Sequence, residues 1–138
     1  MNIELKYGDR QHVLRIPEKA ETSILRPTRM STLRSIGDAL DNALANPLGC
    51  ENLDKLVGRI SPKTIAIAVP DETRPVPVKT ILPILLNRIF TALPGREPSA
   101  LTVVIGAGLH PPAGRKAQER IVPPEVTSGC RVVQHDAL

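Results

Sequence analysis

Polar and ionisable side chains lie in the segments that follow three short apolar stretches of this sequence. The residues are Asp71, Glu72, Thr73 and Arg74 after the first stretch, His110 after the second, and His135 with Asp136 after the third. The planar guanidinium of Arg74 can grip a carboxylate or a phosphate through two parallel hydrogen bonds. The imidazole of His110 can take up and return a proton near neutral pH. Together, an anion-binding arginine and a proton-transferring histidine suit a small hydroxy acid as ligand.

Asp71, Arg74 and His110 could instead have purely structural roles. Asp71 and Arg74 could pair with each other across a turn that is fixed by flanking prolines. His110 fits a purely structural role less well, because the following Pro111 forces it to be extended and its imidazole is carried by a stiff backbone. A stiff backbone at His110 favours a catalytic role, because a general base must be held in position relative to its substrate.

Three further features point less clearly to function. For His135 and Asp136, a hydrogen bond that closes a strand end explains the residues at least as well as catalysis does. His12 is interpreted as a surface histidine or a satisfied core histidine. The glycines of 106–108 permit a close backbone approach to a phosphate, but Pro111 stands where a dinucleotide-binding fingerprint needs its third glycine.

The elements that position these residues follow from the apolar pattern. Short runs rich in β-branched residues predict strands at 64–69, 101–105 and 131–134, and the lack of polar alternation is typical of strands covered on both faces. Apolar residues at helical spacing predict helices at 81–93 and 113–120. This alternation predicts a parallel sheet, at whose carboxyl edge the ionisable residues would meet.

The N-terminal part carries a different pattern. Alternating apolar residues over 3–7 and 13–16, separated by a Gly-Asp turn signal, predict a β-hairpin. Residues 17–30 are polar and lack a period, which indicates a long connection. A helix capped by Ser31 is expected to end near Asn46.

Two details complete the predicted fold. A short helix over 51–57 would end at Gly58, and Pro83 is best placed in the first turn of its helix, where a missing N–H does little harm. The predicted class is therefore α/β: a single domain over 1–138 with a Rossmann-like parallel sheet and flanking helices, preceded by the hairpin.

The amino-acid composition argues against several classes of function. The 138 residues carry a net charge of +4 and only one Tyr, one Phe and no Trp, so base stacking on aromatic side chains is nearly excluded. Cys50 and Cys130 form no CxxC motif and there is no second cysteine pair, so neither a zinc site nor a disulfide framework is indicated. The N-terminus has no apolar signal segment and no run is long enough to span a membrane, which predicts a cytoplasmic protein without nucleic-acid or membrane partners.

Three segments resemble the N-terminal domain of the nickel-dependent lactate racemase family: DETRPVP at 71–77, GAGLHPP at 106–112 and VVQHDAL at 132–138. The stretch ALDNALANPLGCENL at 39–53 is similar to the family's helix and Asn-Pro turn. The resemblance implies racemisation or epimerisation of a 2-hydroxy acid, in which a nickel-pincer nucleotide takes a hydride from the alpha carbon and returns it on the other face.

The resemblance also implies roles for individual residues. His110 matches the family's first general acid/base histidine, and Arg74 matches the arginine that engages the substrate carboxylate. Asp71 opens the same motif near cofactor and substrate, with Thr73 beside it, and both are expected with Gly108 to contact the cofactor. No metal ligand is expected within this chain.

Two departures from the family pattern have consequences. Pro111 replaces a frequent arginine, which is expected to alter a phosphate contact or the substrate range. The family's second catalytic histidine, its nickel-ligating histidine and the lysine that carries the cofactor are expected beyond Leu138, in a C-terminal domain that would be this chain's partner. The alternative is a non-catalytic module, left by truncation, that binds a carboxylate or a nucleotide without turnover.

Overall fold

A computed structural model describes residues 1–112 and 114–137 of the chain. Two compact units make up the fold, residues 1–32 and the residues from 33 onward. The first unit is an antiparallel hairpin of β1 (Asn2–Tyr7) and β2 (Arg10–Arg15), as predicted. Gly8 has φ +58° in the two-residue turn, a conformation that glycine adopts without strain.

The predicted interpretation of His12 as a surface residue is confirmed. His12 is exposed on β2, with its ring 5.0 Å from the ring of Tyr7 in an edge-to-face arrangement. After the hairpin, residues 16–34 form neither helix nor strand, in agreement with the predicted long connection.

The second unit has an α/β architecture, which confirms the predicted class. Its elements in chain order are α1 (Ile36–Ala45), α2 (Leu53–Ile60), β3 (Ile65–Pro70), α3 (Val78–Ala92), a short 3-10 turn (Pro98–Ala100), β4 (Leu101–Gly106), α4 (Arg115–Ile121), α5 (Pro124–Thr127) and β5 (Arg131–Gln134). The strands form a parallel sheet in the order β3-β4-β5.

The core lies on one face of this sheet, so the prediction that the strands are covered on both faces is wrong: Ala66 and Ala68, on the other face of β3, are exposed. Leu101, Val103 and Ile105 alternate along β4 with no exposed surface, and they share a core cluster with α3 residues such as Leu82. The buried residues of α3 recur at helical spacing, at positions 78, 82, 86 and 89. Each fully buried aliphatic side chain of this kind contributes about 1.5–3 kcal/mol of burial free energy.

An arginine on α3 joins the first three helices of this unit. The guanidinium of Arg88 donates two hydrogen bonds of 2.8 Å to the carboxylate of Asp54 on α2, and a third of 3.1 Å to Asp41 on α1. Because the two-pronged geometry fixes orientation as well as distance, it sets the angle of α2 against α3.

The helix boundaries correct several predictions. The cap of α1 is Ser35, whose hydroxyl accepts from the Asp38 amide, and Ser31 lies outside the helix. Helix α2 continues through Gly58 and ends at Ser61, which has φ +44°. Apolar spacing alone cannot choose between two serines, and the cost of about 1 kcal/mol for a helical glycine is outweighed when the helix packs against a neighbour.

Helix α3 starts three residues before its predicted beginning. Because its first residue is Val78, Pro83 lies in the second turn and not in the first. Helix α4 begins at Arg115, and Ala113, where it was predicted to start, lies outside the described residues. The one-turn helix α5 (Pro124–Thr127), with a proline in its first position, was not predicted.

Candidate functional site

The carboxyl ends of β3 and β4 lie side by side at one edge of the sheet. The last paired residues are Pro70 and Gly106, so the loop that begins at Asp71 runs beside the loop that carries His110. The prediction that these two strand ends are neighbours is confirmed.

Asp71 and His110 are in direct contact across this edge. The Nδ1 atom of His110 lies 2.6 Å from Oδ2 of Asp71. The aspartate is 9% exposed, whereas the histidine side chain is 53% exposed, so the pair joins a buried carboxylate to an accessible imidazole. Nε2 of His110 makes no hydrogen bond with any residue that the structure describes.

A tight turn after β4 holds His110 in place. The backbone N–H of His110 donates to the carbonyl of Ala107 over 3.0 Å, and Ala107 is itself buried. Gly108 occupies the middle of this turn with φ +58°, where a residue with a side chain is strained. The proline at 111 then restricts the backbone of His110 from the other side.

The Asp71 carboxylate is held from its own loop as well. Its Oδ1 accepts the Thr73 hydroxyl at 2.6 Å and the Thr73 amide at 3.2 Å. The hydrogen bond from His110, followed by that from the Thr73 hydroxyl, lowers the pKa of Asp71 below its ordinary value. At neutral pH the site therefore holds an ionised carboxylate against one nitrogen of the imidazole.

Arg74 lines the same cleft without pairing with Asp71. Its backbone N–H donates to the Asp71 carbonyl at 3.3 Å, but its guanidinium makes no ion pair within residues 1–112 and 114–137. The alternative in which the Asp71 and Arg74 side chains pair is wrong: the Asp71 carboxylate bonds Thr73 and His110 instead. The open cleft has a volume of about 390 Å³ and is lined by Pro70, Asp71, Arg74, Gly106, Ala107, Gly108, Leu109 and His110.

A second cleft, of about 410 Å³, adjoins the first and shares Asp71 and Arg74 with it. It adds two cations that were not singled out in the sequence, Lys79 at the start of α3 and Arg120 on α4. Arg120 lies 3.6 Å from the carboxylate of Glu72, which is long for a hydrogen-bonded pair. Sequence reasoning missed both residues because they lie inside helices, away from the strand ends.

The end of β5 is placed differently. The backbone N–H of His135 donates to the Ile105 carbonyl at 2.9 Å, which extends the pairing of β5 with β4. His135 is exposed, and neither it nor Asp136 lines either of the two clefts. The backbone contact agrees with the interpretation of this segment as a strand end closed by a hydrogen bond. Leu138, the end of the segment that carried the third resemblance, lies outside the described residues.

The nickel-pincer nucleotide that the resemblance implies would find no metal ligand set among the described residues, but it would find open space beside Gly108. Within residues 1–112 and 114–137, no three side chains among His, Cys, Asp and Glu are grouped so that they could hold a metal ion. At Gly108, however, a Cβ atom would point into open space, because nothing lies within 4 Å of its position. This open backbone lies in the cleft that Arg74 also lines, so an anionic group has room to approach it closely.

Comparison with known protein families agrees with the geometry of this edge. The family model described as the lactate racemase N-terminal domain matches residues 7–138. The chain belongs to this family. It is 32% identical over 111 residues to a lactate racemase of Thermoanaerobacterium thermosaccharolyticum, covering 79% of this chain and 25% of that protein. It is also 26% identical over 98 residues to a lactate racemase of Lactiplantibacillus plantarum, covering 71% of this chain and 22% of that protein.

The chain spans about a quarter of the length of the curated relatives it matches. Across the part of the chain that the structure describes, no helix combines the length and the apolar character that crossing a membrane requires.

Proposed function

We propose that this chain is the substrate-side portion of a 2-hydroxy-acid racemase or epimerase, with His110 as a general acid/base and Arg74 as the carboxylate-binding residue. The observation that carries the proposal is the 2.6 Å contact between His110 Nδ1 and Asp71 Oδ2, in a cleft that Arg74 also lines. Two relatives that bear the name lactate racemase support the substrate class.

The Asp71 contact defines which nitrogen of His110 can accept a proton from a substrate. An ionised carboxylate only accepts hydrogen bonds, so the proton between Oδ2 and Nδ1 belongs to the histidine. Nε2 then carries the lone pair, and it is the nitrogen that no described residue occupies. A substrate hydroxyl placed against Nε2 can lose its proton to His110, and the same nitrogen can return the proton when the hydroxy acid re-forms.

Arg74 supplies the binding counterpart. Its guanidinium is exposed and free of ion pairs with described residues, so no existing contact must break before a carboxylate binds. A two-pronged bond to the carboxylate would fix one end of a small hydroxy acid while its 2-hydroxyl reaches His110. Because the carboxylate and the hydroxyl are then both held, the alpha carbon keeps one orientation, with its remaining bonds toward the open side of the cleft.

The nickel-pincer nucleotide would supply the hydride acceptor at the alpha carbon. In this chain, the backbone at Gly108 and the cations Lys79 and Arg120 would hold the anionic part of such a group. Asp71 and Thr73 contribute less to it directly, because their polar atoms already bond to each other and to His110. The cytoplasm is the proposed location, and the C-terminal domain of the same enzyme is the proposed partner.

The test has a binding arm and an activity arm. In the 138-residue chain labelled for NMR, L-lactate should shift the ring signals of His110, and Arg74→Ala should abolish the shift. The matched control Arg26→Ala removes an arginine outside the cleft and should leave the shift intact. In the complete gene product loaded with cofactor, L-lactate should racemise.

The outcomes separate the two candidate functions. Racemisation that His110→Ala lowers by about 10²- to 10⁴-fold supports the enzyme. Lactate binding without racemisation of any 2-hydroxy acid supports the non-catalytic carboxylate-binding module. If neither L-lactate nor any other 2-hydroxy acid tested shifts His110 or reacts, the cleft is not a hydroxy-acid site.

A further inference from the structure

We propose that Thr73 is a positioning residue for His110: its hydroxyl and amide lock the Asp71 carboxylate in the orientation that fixes the imidazole. The inference rests on the proposed function of His110, and it differs from the expectation that Thr73 contacts the cofactor. The contacts form a chain of three side chains that joins the loop after β3 to the turn after β4.

The geometry assigns a separate task to each oxygen of Asp71. Oδ1 accepts two hydrogen bonds from Thr73, at 2.6 Å from the hydroxyl and 3.2 Å from the amide, and Oδ2 faces His110 Nδ1 at 2.6 Å. With Oδ1 anchored twice, the plane of the carboxylate cannot rotate without breaking a contact. Since Asp71 is only 9% exposed, few water molecules can replace a lost donor.

The proton count of Thr73 argues against a role as donor to the cofactor. A hydroxyl has a single proton, and the Thr73 hydroxyl already donates it in a 2.6 Å hydrogen bond to the Asp71 carboxylate. Thr73 can therefore donate to a ligand only by releasing the carboxylate that orients His110. Its effect on catalysis is expected to reach the substrate through Asp71 and His110.

A merely local role is the competing explanation. Asp and Thr two residues apart often bond to each other to stabilise a turn, whatever lies beyond. Such a turn would contribute to the stability of the loop, but it would not determine which nitrogen of His110 carries the proton. The tautomer of His110 therefore distinguishes the two roles.

The experiment compares two variants with a matched control in the 138-residue chain. Thr73→Val keeps the shape and removes the hydroxyl, while Thr73→Ser keeps the hydroxyl. Thr64→Val makes the same chemical change beside the opposite end of β3, at an exposed threonine that has no side-chain hydrogen bond with described residues. Nitrogen-15 NMR of the imidazole reports the tautomer of His110, and carbon-13 NMR reports the titration of the Asp71 carboxyl.

The expected result is a loss of the Nδ1–H tautomer in Thr73→Val, with wild-type spectra for Thr73→Ser and Thr64→Val. The pKa of Asp71 should rise in Thr73→Val, because the carboxylate loses a donor. An unchanged His110 tautomer in a folded Thr73→Val chain would overturn the proposal. If Thr73→Val does not fold, loss of the Nδ1–H tautomer in Thr73→Ser would equally overturn it, since the hydroxyl is still present.

A kinetic measurement separates this inference from the proposed function. In the complete, cofactor-loaded protein, Thr73→Val should lower kcat by about 10- to 10²-fold, the usual value of one hydrogen bond to a charged group, and leave KM unchanged. A lower cofactor occupancy in Thr73→Val, with unchanged kcat per loaded site, would show a cofactor contact and overturn the positioning role. The tautomer measurement needs no activity, so it remains decisive even if the protein acts on no hydroxy acid.

Discussion

A double-mutant cycle on Asp71 and His110 tests whether the two residues act as one unit. The perturbations are Asp71→Asn, His110→Ala and their combination in the complete, cofactor-loaded protein. Asparagine keeps the shape of the aspartate but offers an NH₂ group that favours the opposite tautomer of His110. Alanine removes the imidazole altogether.

The 2.6 Å contact sets the expected magnitudes. His110→Ala should lower kcat by about 10²- to 10⁴-fold, the usual contribution of a positioned general acid/base. Asp71→Asn should lower it by about 10- to 10²-fold, the value of one charge-assisted hydrogen bond. If the residues were independent, these factors would multiply to about 10³- to 10⁶-fold in the double variant. Because Asp71 acts through His110, the double variant should be no slower than His110→Ala alone.

The assay is the initial rate of D-lactate formation from L-lactate, measured under saturating substrate. Asp9→Asn, in the hairpin turn, is the matched control, and its effect should be small and independent of His110→Ala. Effects of Asp71→Asn and His110→Ala that multiply in the double variant would refute the coupling. A kcat of His110→Ala equal to that of the wild type would remove the histidine from the mechanism.

Three further predictions concern binding, pH and stability. Arg74→Lys should raise KM for the 2-hydroxy acid about 10-fold with little change in kcat, because an ammonium cannot reproduce the two-pronged grip; an equal fall in kcat with unchanged KM would contradict a ground-state clamp. Hydrogen bonds lower the pKa of folded Asp71 below its ordinary value of 3.8. The stability that the ionised Asp71 contributes is therefore fully present above the ordinary pKa, and it disappears as the pH falls through the folded pKa. Urea titrations should therefore show the stability advantage of wild type over Asp71→Asn at pH 6 shrinking in strongly acidic solution, and a constant difference would speak against the assigned contacts. Leu82→Ala should lower the free energy of unfolding by about 2–5 kcal/mol, because Leu82 is 1% exposed, whereas Leu48→Ala, at a 98% exposed position, should change it little.

Local sequence determined which segments form the sheet. The strand at 65–70 was predictable because its β-branched residues stand between prolines and lack polar alternation, and the strand at 131–134 was predicted with its observed bounds. A parallel sheet places the residues after each strand at a common edge, so the sequence alone predicts that Asp71 and His110 lie near each other.

Helix ends depended on packing that the sequence does not express. Both Ser31 and Ser35 are acceptable caps, and the choice of Ser35 follows from where α1 meets its neighbours. The helix that was predicted from Ile81 onward begins at Val78 because Val78 is buried in the core. Burial of a first turn is decided by tertiary contacts, and local spacing gives no information about them.

The partner of the Asp71 carboxylate was likewise decided by the tertiary structure. Within the sequence, Arg74 is a nearby cation and His110 is 39 positions away, so a local pairing of Asp71 with Arg74 was a reasonable alternative. The parallel pairing of β3 with β4 brings the distant histidine to 2.6 Å, and the turn at Thr73 directs the carboxylate toward it. Sequence determined that an acid, a base and a guanidinium meet at one sheet edge. Only the relative placement of two loops, which depends on contacts distant in the chain, decided that Asp71 bonds His110 and not the guanidinium of Arg74.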